Sequence, residues 1–208
     1  MMMPTERHRL QEYLESSILR STIGERLAEG ATIIYPTETI YGIGGRGNSE
    51  GVKSRILAAK KRPLAQPMIL IAGSRHVFDA LQLAVPQPAT RLADAFWPGY
   101  LTLVVPGRAE KQFIGIRVSP HRFLRTLAQS CSFPLFSTSA NISGDAYVND
   151  PDAIYTQFRN RVDYMIDAGP LPASKPSTVV KINRDNGVEI LREGEIAGED
   201  IKRVVAGE

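Results

Sequence analysis

Short apolar runs set between amphipathic stretches constrain this chain more than any other feature. Ala31-Thr-Ile-Ile-Tyr35, Pro67–Ala72, Leu101–Val105 and Ile114–Val118 are too short for helices and rich in branched aliphatic residues. Such runs read as buried strands. Pro134–Phe136, Val162–Ile166, Ser177–Ile182 and Val188–Leu191 add further strand candidates. Between them lie helical patterns. Leu10, Leu14, Ile18 and Leu19 recur at helix spacing within Thr5–Ala28, and Gly30 offers a stop. Ser49, with Glu50 and Lys53, opens a helix to about Lys61 that carries Val52, Ile56 and Leu57 on one side, and Pro63 ends it. Arg75–Leu83, Pro88–Phe96 and Pro120–Ser130 are also helical, Asp150-Pro151 starts another helix, and a short one closes the chain. Strands and helices alternate irregularly, several strands following tight turns. The expectation is an α/β fold with one mixed sheet flanked by helices, residues 1–208 forming a single domain.

Composition narrows the function classes. With 208 residues and 43% hydrophobic side chains, the chain can bury a core without disulfides or structural metal. One cysteine, Cys131, excludes an internal disulfide, and the three histidines lie far apart, so no protein-built metal site is expected. The formal charge of +3 permits a polyanionic partner without requiring one. Met1–Arg9 is polar, and no run approaches the ~18 apolar residues of a membrane helix. A soluble, cytoplasmic protein with no membrane association is expected.

Several motifs carry chemistry, each beside a plainer reading. Gly42-Ile-Gly44-Gly45-Arg46-Gly47 satisfies G-x-G-x-x-G, but Pro36–Tyr41 separates it from the preceding strand, and no acidic residue closes the next one. A dinucleotide site needs both contexts, and Asn48 stands where a phosphate-loop lysine belongs, so a sharply bending glycine-rich loop is the better reading. Lys60-Lys61-Arg62-Pro63 either caps a helix through the macrodipole or sends Lys60 and Arg62 to a phosphate. Ser137-Thr-Ser-Ala-Asn141 follows a buried strand, where α/β sheets bind ligands, although an ordinary polar turn looks the same. Arg117, inside an apolar strand, must meet an acidic protein group or a ligand carboxylate. No nucleophile elbow is present; Cys131 has no evident histidine partner unless His121 approaches it, and Trp97 reads as packing.

In order, Tyr35-Pro-Thr-Glu-Thr-Ile-Tyr-Gly42, Ala59-Lys60-Lys61-Arg62-Pro63, Trp97-Pro98-Gly99, Arg117 and Ser137-Thr-Ser-Ala-Asn141 resemble the YrdC-type threonylcarbamoyl-adenylate synthase family. The resemblance runs from about residue 10 to about residue 195. It implies a twisted mixed sheet around a wide basic concavity. It also implies a reaction in which L-threonine and bicarbonate form a carbamate that displaces pyrophosphate from ATP, with Mg2+. The product, threonylcarbamoyl-AMP, would pass to a downstream threonylcarbamoyl-transferase complex that modifies tRNA. By motif position, Thr39, Arg117, Ser137 and Ser177 resemble the threonine-binding set, and Lys60, Arg62, Ser139 and Asn141 the ATP set, joined by Gln66 and Arg192. No side chain is implied as a covalent catalyst, because the protein's task is to align anions and stabilise charge.

Three departures mark the chain. Ile71 stands where many members carry a histidine, and Lys175-Pro-Ser-Thr178 and Leu191-Arg-Glu-Gly194 look more like the YciO branch. That branch lacks K-x-R and S-x-N, which this chain keeps, so the synthase reading is favoured. The alternative is a non-catalytic YciO-like protein that binds structured RNA, tRNA or double-stranded RNA, in the concavity. A carbamoyl-transfer relative acting on another acceptor is a third reading.

Overall fold

The computed structural model describes residues 4–61, 68–110 and 112–207. Among them ten strands build one sheet: β1 (Glu6–Arg9), β2 (Thr32–Tyr35), β3 (Gly42–Arg46), β4 (Ile69–Ala72), β5 (Leu101–Pro106), β6 (Phe113–Val118), β7 (Leu135–Ser139), β8 (Tyr164–Asp167), β9 (Thr178–Ile182) and β10 (Val188–Arg192). Their order is β1-β8-β2-β3-β7-β4-β6-β5-β9-β10. The β1–β8, β2–β8, β4–β6 and β5–β9 pairs are parallel and the others antiparallel, which makes the sheet mixed, as the irregular alternation predicts. The helices are α1 (Leu10–Glu15), α2 (Ser17–Ala28), α3 (Glu50–Ala59), α4 (Val77–Ala80), α5 (Gln87–Phe96), α6 (Arg122–Ser130), α7 (Pro151–Phe158) and α8 (Gly198–Ala206).

Strand alternation sorts the core. Ile33, Tyr164 and Ile166 face Tyr13, Ile23, Leu27, Phe123 and Leu127 of α1, α2 and α6. Their neighbours Ile34 and Met165 point to the opposite face, onto Val52, Ile56, Ile154 and Phe158 of α3 and α7. Successive strand side chains point to opposite faces, so this end of the sheet is covered on both. Toward β5, Leu101, Leu103, Ile116, Val118, Val180 and Ile182 pack on Leu92, Trp97 and Ile201 from α5, α8 and the turn between α5 and β5. Trp97 therefore serves packing, its Nε1–H donating to the Leu101 carbonyl at 2.7 Å.

Arg117 and Thr102 alternate with these residues and so take the other face. They are register partners, and Arg117 also pairs with Ile71, which belongs to the first cluster. Ser137 reaches the same face two residues beyond Leu135. On this side, then, the apolar layer under α1, α2 and α6 gives way to hydroxyls and a guanidinium.

Three expectations need correction. The helix expected from Thr5 begins at Leu10, preceded by β1 and interrupted at Ser16, whose hydroxyl accepts from Leu19 N at 3.1 Å as a new N-cap. Tertiary contacts override the local pattern at Glu6–Arg9, since Arg7 bridges Asp152 at 2.6 Å and Asp167 at 2.7 Å while β1 pairs with β8. The glycine-rich stretch is not a sharply bent loop: Gly42–Arg46 is a central strand between β2 and β7. Its glycines answer close approach, because a Cβ on Gly44 would stand 2.0 Å from the Phe136 carbonyl oxygen and one on Gly45 2.6 Å from Val52 Cγ1. The strand expected over Pro134–Phe136 extends to Ser139, so the hydroxyl cluster begins within β7 rather than after it.

Candidate functional site

The polar face opens into a cavity of ≈ 460 Å³ whose walls include Thr39, Arg117, Ser137, Ser139, Ser177 and Arg192. This volume lies in the range typical of small-molecule sites. Six residues named from sequence thus meet in one space, although they lie on segments spread from residue 39 to residue 192. Among the described residues, the lining carries two guanidiniums and no carboxylate, a composition that favours anions. Arg62 and Gln66 lie outside the described residues.

Thr39 sits in the turn between β2 and β3. Thr37 Oγ1 organises that turn, donating to the Ile40 carbonyl at 2.7 Å and accepting from the amides of Thr39 at 3.1 Å and Ile40 at 3.2 Å. It also lies 3.0 Å from Thr39 Oγ1, which accepts from Arg117 Nη2 at 3.3 Å. Arg117 is 5% exposed, and the same Nη2 stands 2.8 Å from Glu38 Oε1. Of the two partners that sequence left open for this buried arginine, the acidic protein group is present. Glu38 is the main residue that sequence reasoning missed. The missed signal was the requirement of a buried cation for a counter-charge, with an acid between the two threonines of the same motif.

On the far wall, Ser177 Oγ lies 2.9 Å from Thr102 Oγ1. Arg192 donates from Nε and Nη2 to the Ser177 carbonyl at 3.1 and 2.9 Å, and from Nη2 to Ser177 Oγ at 3.3 Å. Sequence grouped Arg192 with the ATP residues, whereas the structure binds it to a member of the threonine set; its late place in the chain gave no hint of β10 folding back beside Ser177. Burial, and then the neighbouring charge of Arg117, lower the pKa of Arg192. Ser174 closes the wall, donating to the Thr39 carbonyl at 3.2 Å.

The second group adjoins the Ser139 end of the cavity. Lys60 is the C-cap of α3, followed by Lys61 with a left-handed φ of 52° that ends the helix. The backbone of this cluster thus ends the helix. The side chain does something else: it is 2% exposed, and Nζ donates to the Ser139 carbonyl, to the Asn141 carbonyl at 2.6 Å and to Asn141 Oδ1 at 3.3 Å. Ser139 Oγ donates to Asn141 Oδ1 at 2.5 Å, which completes a closed cluster of Lys60, Ser139 and Asn141.

The residues weighed for covalent catalysis stand elsewhere. Burial pushes the Cys131 thiol up to about 11, and its Sγ donates to the Gly24 carbonyl at 3.9 Å. His121 Nδ1 accepts from Phe123 N at 3.2 Å as the N-cap of α6, and burial lowers its pKa. Each has its own partner, so no cysteine–histidine couple forms. Among the described residues, no group of three or more His, Cys, Asp or Glu could hold a metal ion, and no helix is long and apolar enough to cross a membrane.

Comparison with known proteins places the chain among relatives of the same fold. The profile of the Sua5/YciO/YrdC family, described as "Telomere recombination", matches residues 25–194. A threonylcarbamoyl-AMP synthase of Pyrococcus abyssi is 30% identical over 205 residues, covering 94% of this chain and 59% of its own length. A putative threonylcarbamoyl-AMP synthase of Methanocaldococcus jannaschii is 31% identical over 204 residues, covering 95% of this chain and 92% of its own length. The crystal structure of P. abyssi Sua5 complexed with L-threonine superposes with a TM-score of 0.82 at 28% identity, covering 96% of this chain and 59% of that one. The chain thus spans about three-fifths of the length of these Pyrococcus relatives.

Proposed function

Because the chain belongs to the Sua5/YciO/YrdC family, we propose that it is a threonylcarbamoyl-AMP synthase. L-Threonine and bicarbonate condense to a carbamate with loss of water. A carbamate oxygen then attacks the α-phosphorus of ATP and pyrophosphate leaves. The observation that carries this reading is the single cavity in which Arg117, Thr39, Ser137 and Ser177 meet Ser139, the edge of the Lys60–Asn141 cluster. Two anions can be aligned there without a covalent catalyst.

Arg117 takes the threonine carboxylate and the hydroxyls of Thr39, Ser137 and Ser177 take its polar atoms. Ser139, Asn141, Lys60, Arg62 and Gln66 serve the nucleotide, Lys60 by holding the Ser139–Asn141 segment in shape. Arg192 keeps the Ser177 wall in place and adds positive potential where phosphate charge shifts in the transition state. Magnesium arrives with ATP as part of the substrate, shielding the phosphate oxygens. The product goes to a threonylcarbamoyl-transferase that modifies tRNA, and the whole chain acts as one unit in the cytoplasm.

Pyrophosphate release from ATP, Mg2+ and bicarbonate, measured with and without L-threonine, tests the proposal. Threonine-dependent release supports it. No release from the folded protein refutes it and favours the YciO-like reading, for which salt-dependent binding of tRNA or double-stranded RNA is the corresponding assay.

A further inference from the structure

Glu38 stands behind the cavity rather than in it. It is absent from the lining, yet its Oε1 is 2.8 Å from Arg117 Nη2, with the two side chains 8% and 7% exposed. Its other oxygen, Oε2, accepts from Ser119 Oγ. Ser119 is fully buried, and its Oγ in turn accepts from the His121 amide at 3.1 Å at the start of α6. A chain of contacts therefore runs from the helix terminus through Ser119 and Glu38 to the guanidinium.

The ion pair is close but leaves hydrogen-bonding capacity unused on both partners. Among the described residues, Glu38 Oε1 accepts no aligned hydrogen bond and Arg117 Nε, a buried atom, has no hydrogen-bond partner. Among the described residues, Nη2 is the only nitrogen of Arg117 that is engaged, by Glu38 and Thr39. A guanidinium presents its donors in a rigid planar fork. Fixing it through Nη2 from behind sets its direction and, with Nε buried, leaves Nη1 as the donor that a ligand in the cavity can reach.

We propose that Glu38 is a positioning residue for the amino-acid substrate. With Ser119 it supplies the counter-charge that lets Arg117 remain buried, and it orients the guanidinium toward the ligand carboxylate without touching the ligand. The inference rests on the assignment of the cavity to an amino acid.

The wild-type protein is assayed first, by calorimetric titration with L-threonine and by threonine-dependent pyrophosphate release. Wild-type protein that neither binds L-threonine nor turns over refutes the assignment of the cavity, and this inference with it. In an active wild-type background, Glu38→Gln keeps side-chain size and the capacity to bond Ser119 but loses the charge. The expected result is a rise of about tenfold in KM for L-threonine, with KM for ATP within twofold of wild type. Glu38→Asp should recover part of the loss. A purely structural role would lower the melting temperature without separating the two KM values. An unchanged or lower KM for threonine in folded Glu38→Gln overturns the inference. Should Glu38→Gln not fold, Ser119→Ala removes the rear contact and leaves the ion pair; it is expected to raise KM for threonine about threefold, and no change there also overturns the inference.

Discussion

Replacing Lys60 with methionine separates two uses of a lysine that both look like ligand binding in sequence. The side chain is 2% exposed and its ammonium spans the turn from Ser139 to Asn141. Lys60→Met preserves volume and removes these donor contacts. The Ser139 carbonyl still accepts from Asn141 N at 3.0 Å, and Asn141 Oδ1 keeps the Ser139 hydroxyl at 2.5 Å. The Asn141 carbonyl loses its bond to Nζ. An acceptor left without its donor in this part-buried turn costs up to about 1–3 kcal/mol. The relief of no longer burying an ammonium offsets any further loss, so the net destabilisation is about 1–3 kcal/mol. At ~2–4 °C per kcal/mol for a chain of this size, the melting temperature should fall by roughly 2–12 °C. Calorimetric unfolding without nucleotide measures this, with Lys53→Met as the control. Lys53, partly exposed on α3, pairs with the exposed Glu50 at 3.3 Å and should change stability by less than ~0.5 kcal/mol. A Lys60→Met protein that melts with wild type in the absence of ATP, and differs only in its stabilisation by ATP, would show that the ammonium serves the nucleotide and not the loop.

Further outcomes follow from single contacts. Gly44→Ala should cost about 3 kcal/mol or more in chemical denaturation, because its Cβ would meet a backbone oxygen of β7 that cannot move without opening the β3–β7 ladder; a loss below ~1 kcal/mol would contradict the close approach. The lowered pKa of His121 means that the folded state favours neutral imidazole. Its contribution is present above the ordinary value of 6.5 and is lost as pH falls through the folded value, so the urea midpoint should drop between pH 7.5 and 5.5, and less so in His121→Asn. With its thiol near 11, Cys131 should resist iodoacetamide at pH 7.5 until the protein unfolds, as followed by mass spectrometry; rapid labelling of the native protein would contradict the burial.

The fold was legible where side chains carry the period of their element. Ile33 and Ile34 announce a strand covered on both faces, and Val52, Ile56 and Leu57 announce α3. It was illegible where backbone geometry or distant partners decide. Gly42–Arg46 has little side-chain pattern to report a strand, because β7 leaves no room for a Cβ on Gly44 and Val52 none for one on Gly45. Glu6–Arg9 pairs with residues more than 150 positions away. At the site, Arg117 was conspicuous as a charge in an apolar run, whereas Glu38 looked like one more polar residue in a turn. Its importance depends on the approach of β6, which no local window contains.

The strand order has a consequence for how the chain acquires its cavity. Thr39, Thr102, Arg117, Ser137, Ser177 and Arg192 become neighbours only through pairings such as β3 with β7 and β5 with β9, each closing a long loop. Loop-closure entropy makes such non-local ladders slow to form. A nascent chain that has emerged only as far as α7 holds Arg117 and Ser137 but lacks the Ser177 wall. Ligand affinity should therefore appear late and all at once during synthesis, so that binding competence reports completion of the whole sheet rather than the folding of any one segment.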